Sequence, residues 1–137
     1  MKVKLLFEDK FKIVATMEGE ECPTEQFLET GEQGTAAARL GLVEILEFLA
    51  ANGLEKASHA WVHEANKREQ IFEFIKGPLR LFFFKGSNGQ IAVCTGGVRK
   101  TGPKANKSAV ARAADLRNSY LASISDDTLE IIEDEED

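Results

Sequence analysis

Three apolar runs in close succession constrain the fold more than any other feature of the chain. They are Ile71-Phe72-Glu73-Phe74-Ile75, Leu79-Arg80-Leu81-Phe82-Phe83-Phe84 and Gln90-Ile91-Ala92-Val93-Cys94. Each is rich in aromatic and β-branched residues and too short for a stable helix. Lys76-Gly77-Pro78 separates the first two, and Gly86-Ser87-Asn88-Gly89 lies in the connection between the last two. Glycine and asparagine supply the positive-φ positions that a tight hairpin needs, so the three runs read as an antiparallel meander.

Such a sheet needs a helix to cover it. Between residues 35 and 51, Leu40, Val43, Leu46, Phe48 and Leu49 recur at about helical spacing, Glu44 and Glu47 mark a wetter side, and Asn52-Gly53 stops the run. Upstream, residues 2–6 and 11–16 read as a hairpin about Glu8-Asp9-Lys10, and Thr24 is placed to cap a short helix over residues 25–29. Residues 54–69 are polar and mixed, with Trp61 and Val62 as anchors. Residues 107–122 form a closing amphipathic pattern with Val110, Ala114 and Leu121 inward. The pattern predicts one α+β domain over residues 1–124, followed by a flexible acidic tail over residues 125–137. No stretch approaches the roughly 20 apolar residues of a membrane span, and Glu8-Asp9 interrupts the N-terminus too early for a signal-peptide core. A cytoplasmic protein without a membrane partner is expected.

The formal net charge of −6 hides a division along the chain. Residues 76–120 hold nine Lys and Arg against Asp115 alone, a net of +8, whereas residues 121–137 hold eight acids and no Lys or Arg. A basic block inside an acidic chain is a candidate phosphate-binding surface, because Lys and Arg release the counterions condensed on nucleic acid. Cys22 and Cys94 lack the C-x-x-C spacing of metal and redox sites. His59 and His63 stand four apart, the spacing of a helical metal pair, but without a Glu at the second position the signal is weak. Neither a metal nor another cofactor is expected.

The run from Leu79 to Phe84, a short turn, a strand, then Gly97-Val98-Arg99-Lys100-Thr101-x-x-Lys104 and an Ala/Arg-rich helix resembles the phage-derived, HigB-like branch of the RelE/ParE toxin superfamily. Pro23-Thr24-Glu25-Gln26-Phe27-Leu28, the Leu-rich helix over residues 39–49 and Glu73-x-x-Lys76 are similar to the family's upstream half, so the likeness spans residues 20–122. The resemblance implies a twisted antiparallel sheet of four or five strands with two or three helices on one face. It also implies the toxin of a toxin–antitoxin system, an endoribonuclease that cuts mRNA, usually at the ribosome, and is silenced by an antitoxin of helix-turn-helix type.

Such cleavage removes a proton from the ribose 2′-OH, neutralises the phosphorane and assists the leaving 5′-oxygen. On the family's pattern Arg80 is the transition-state stabiliser, its planar fork suiting two phosphate oxygens. Arg99 and Lys100 come next, Glu73 is the candidate general base, and His59 and His63 are looser alternatives. Lys76, Lys104, Lys107 and Arg112 would position the RNA. The sequence also departs from the family. Phe74 stands where an arginine is expected, no His follows His63, and Tyr120, the chain's one tyrosine, falls inside the final helix. A non-catalytic nucleic-acid- or protein-binding module on the same scaffold is therefore the alternative, with gyrase inhibition a weaker third. The acidic tail carries a further expectation: that Leu129, Ile131 and Ile132 anchor it while its carboxylates cover the basic face.

Overall fold

In the computed structural model, which describes residues 1–102 and 106–134, seven strands form a single sheet. In chain order the strands are β1 (Lys2–Glu8), β2 (Lys12–Thr16), β3 (Val62–Asn66), β4 (Ile71–Lys76), β5 (Leu79–Phe84), β6 (Gln90–Arg99) and β7 (Glu130–Ile132). The helices are α1 (Pro23–Glu29), α2 (Ala36–Asn52) and α3 (Lys107–Ser125), with a short 3-10 turn at Leu54–Lys56. Across the sheet the order is β3-β4-β5-β6-β2-β1-β7.

The expected meander is present. β4, β5 and β6 pair antiparallel, and positive φ at Gly77, Asn88 and Gly89 makes the reversals. β1 and β2 form the expected antiparallel hairpin. The α+β class holds, but the sheet is mixed and larger than the four or five antiparallel strands expected. β2 pairs parallel with β6, and β7 pairs parallel with β1. Two strands escaped the sequence pattern because their partners create them: β3 contains one large apolar residue, Val62, and β7 is three residues inside an acidic segment.

Alternation along β5 builds two cores. Leu79, Leu81 and Phe83 face Leu42, Ile45, Leu46 and Leu49 of α2, with Phe74 stacked on Phe83 at 4.0 Å between ring centroids. Phe82 and Phe84 face the other way, onto Ala113 and Tyr120 of α3. Helices thus cover both faces, whereas the resemblance implied one. In α3 it is Tyr120 that is buried, while Leu121, expected inward, is 40% exposed. Thr24 is also displaced from its expected role. α1 begins two residues earlier than expected, at Pro23, whose missing N–H costs nothing at a first helical position, and Thr24 is buried within the helix. Gly97 allows α1 its close approach, since a Cβ there would meet the Phe27 ring at 2.2 Å.

The acidic end, expected as a flexible tail, joins the sheet over Glu130–Ile132. Its chain reverses at Asp127 (φ 56°), Leu129 packs into the α3-side core, and Glu130 N–H donates to Met1 O at 2.9 Å. Lys4 fastens this edge. Its ammonium donates to Glu25 Oε1 of α1 at 2.7 Å and pairs with Asp134 at 3.0 Å. The Glu25 bond, opposed by burial and helped by Asp134, pushes the Lys4 pKa up to about 12. Among the described residues no helix is long and apolar enough to cross a membrane.

Tyr120 provides a test of the α3 packing. Its hydroxyl donates to Gln90 Oε1 at 2.6 Å and accepts from the Ser87 N–H at 3.0 Å. Tyr120→Phe leaves both partners short of a bond, and chemical denaturation should show a loss of about 1–3 kcal/mol. Burial raises the Tyr120 pKa above the ordinary 10.0, so the folded state holds its proton where the unfolded state has lost it. Stability should therefore fall as pH rises past the ordinary tyrosine value. An alkaline absorbance titration of this single tyrosine should show tyrosinate appearing late, or together with unfolding.

Candidate nucleic-acid interface

Strand register decides where the basic residues meet. Lys76 lies opposite Leu79 and Leu79 opposite Arg99, so Lys76, Arg80, Arg99 and Lys100 stand at one end of the sheet. The Lys100 N–H donates to Pro78 O at 2.7 Å and ties the end of β6 to the β4–β5 turn. The same register separates faces. Arg80 pairs with Val98 and lies on the α3 side, whereas Leu79 and Arg99 lie on the α1–α2 side. Glu73 and Arg80 thus share one face and Arg99 lies on the other, so the candidate catalytic residues do not converge on one point.

Arg80 is largely committed within its own turn. Its Nη1 donates to Gly77 O at 2.7 Å and to Leu79 O at 2.9 Å, and its side chain is 16% exposed. Nε lies 4.0 Å from Glu73 Oε1, too far for a hydrogen bond, and has no bonding partner among the described residues. Glu73 shares a face with Arg80, as a general base would have to. His63 stands directly opposite Glu73 on β3 and is exposed. His59 lies in the loop before β3, so the spacing of four between the two histidines is not a helical pairing.

The remaining basic candidates divide. Arg99 forms an ion pair with Glu32, and Arg112 on α3 forms one with Glu18; both pairs are exposed. Lys76 is exposed and its stem lies against α2, where a Cβ on Gly41 would meet Lys76 Cε at 2.6 Å. Lys76, Lys100 and Lys107 have no carboxylate within 4.0 Å among the described residues. Lys104 falls outside the described residues. The carboxylates that meet Arg99 and Arg112 lie 67 and 94 positions away, and no local pattern in the chain marks them.

No protein-family model and no curated protein matches this chain. Its site must be read from geometry. Two expectations change on that basis. The basic block of residues 76–120 is split between the two ends of the sheet, because Lys85 follows β5 at the end opposite Lys76. The described part of the acidic segment is also elsewhere: β7 lies three places from β6 in the sheet, and Asp134 sits on Lys4. Residues 130–134 thus lie beside β1 and not over the basic end.

Exposed ion pairs contribute little, because water screens them and two long side chains must be ordered. Glu32→Gln and Glu18→Gln should each change stability by less than about 1 kcal/mol in urea denaturation. A larger loss would mean that these pairs hold the α1–α2 connection and α3 in place.

Proposed function

We propose that this chain binds single-stranded RNA without cutting it, through the end of the sheet that carries Lys76, Arg99 and Lys100, with Lys107 and Arg112 of α3 contributing. The observation that carries this reading is the register, which gathers three cations from two separate strand ends while leaving Lys76 and Lys100 without carboxylate partners among the described residues. The exposed Arg99–Glu32 pair can exchange its carboxylate for phosphate at small cost. The resemblance noted above favours RNA as the ligand and a cytoplasmic setting.

Anisotropy of a short fluorescent RNA, titrated across a range of salt, tests the reading. Affinity should fall steeply with salt. Replacing Lys76, Arg99 and Lys100 by Ser should weaken binding at least tenfold and reduce the salt slope by about 2, at roughly 0.7 per phosphate contact on a single strand. Salt-independent binding, or binding indifferent to the triple substitution, would overturn it.

A second reading has one observation in its favour. Glu73, His63 and Arg80 lie on the same face of three adjacent strands, and an endoribonuclease of RelE/HigB type would use Glu73, or His63 in its place, as the general base and Arg80 to stabilise the phosphorane. On that reading the chain is a toxin acting on mRNA, with the ribosome and a helix-turn-helix antitoxin as partners. Induced expression should then arrest growth with cut mRNA, and Glu73→Gln and Arg80→Ala, each shown to fold by circular dichroism, should abolish both effects. Intact RNA alongside salt-dependent binding retains the binding module alone.

A further inference from the structure

At the end of the sheet away from Lys76, a cavity of about 540 Å³ opens between the sheet and the chain that follows α2. Phe11, Leu54, Val62, Phe72, Phe83 and Ile91 form its apolar walls. Ser58, His59 and Glu55 supply polar groups. A second cavity of about 240 Å³ adjoins it, lined by Lys67, Lys85, Arg117, Gln70 and Glu64, and Phe72 and Lys85 belong to both. The first has the size and lining of an ordinary small-ligand pocket. The second presents three cations against one carboxylate.

Lys85 marks the junction, with its Nζ 5.0 Å from the centroid of the Phe72 ring. Neither Lys67 nor Lys85 has a carboxylate within 4.0 Å among the described residues, and Arg117 bonds the neutral Gln70 side chain at 3.2 Å. A ligand that satisfies both cavities has a flat, largely apolar ring at one end and a multiply charged anion at the other. A fatty acid would fill the walls but bring one negative charge to three cations. Inorganic phosphate would answer the cations and leave the aromatic cavity to water.

We propose that these joined cavities bind a nucleoside monophosphate, free or as the terminal nucleotide of a strand, with its base in the larger cavity beside Phe11 and Phe72 and its phosphate at Lys67, Lys85 and Arg117. Aromatic side chains accept any base face by stacking, and the polar groups around the larger cavity can meet the ring edge. The site shares no residue with the Lys76–Arg99–Lys100 end and does not rest on the function proposed there.

Calorimetric titration of the full chain with AMP, adenosine, inorganic phosphate and octanoate tests it. AMP should bind saturably and at least tenfold more tightly than the other three. The double substitution Lys85→Met with Arg117→Gln, at surface positions, should weaken AMP at least tenfold. Val62→Trp, or Ala57→Phe if that variant does not fold, should do the same by filling the larger cavity. The Lys76, Arg99 and Lys100 triple variant should bind AMP as the wild type does. An oligoadenylate with a 5′-phosphate that binds more tightly than AMP identifies a strand end as the ligand, and the reverse order identifies the free nucleotide. The proposal fails if AMP binds no better than adenosine or phosphate, if octanoate binds best, or if the Lys85 and Arg117 double variant binds as wild type.

Discussion

Leu79, Leu81 and Phe83 alternate along β5 with Phe82 and Phe84, so large apolar side chains stand on both sides of the middle of the sheet. A strand buried on two faces needs two covers, and each buried phenylalanine is worth roughly 1.5–3 kcal/mol once water is excluded. α2 supplies one cover and α3 the other. The remaining position of the strand, Arg80, sits near its beginning, where the guanidinium can bond the carbonyls of the turn instead of crossing the core. The arrangement of charge in this protein therefore follows from the arrangement of phenylalanine.

Much of this was legible in local pattern and the rest depended on distant partners. The meander could be read because Gly77, Asn88 and Gly89 announce their turns beside the strands they join. α2 ends within a residue or two of its expected limits for a similar reason, since Gly53 follows its last turn directly. β3 and β7 could not be read, because Val62-His63-Glu64-Ala65-Asn66 and Glu130-Ile131-Ile132 become strands through the neighbours they pair with. Tyr120 took the inward place expected of Leu121 because its hydroxyl finds Gln90 and Ser87, about thirty positions away. At the candidate site, alternation did place Glu73 and Arg80 on one face. That Arg99 falls on the other face, facing Glu32, required the β5–β6 register.

Counting charge by segment located a basic block but misjudged its shape. An antiparallel meander carries the chain from one end of the sheet to the other with each strand, so cations at successive strand ends are separated by the length of a strand. Lys76 and Lys85 flank the same hairpin strand and are consequently at opposite ends, while Lys76 and Arg99 are brought together. One basic stretch of sequence thus becomes two basic regions of surface, each beside a different set of neighbours.

The parallel pairing of β7 with β1 has a mechanical consequence. Lys2, Val3 and Lys4 lie opposite Glu130, Ile131 and Ile132 in the same direction, so the chain leaves the ladder toward Met1 at one end and toward Asp134 at the other. Tension applied through the two ends of this segment pair runs along the strands in opposite senses. It loads the whole ladder in shear, and its hydrogen bonds must yield together instead of peeling apart one at a time.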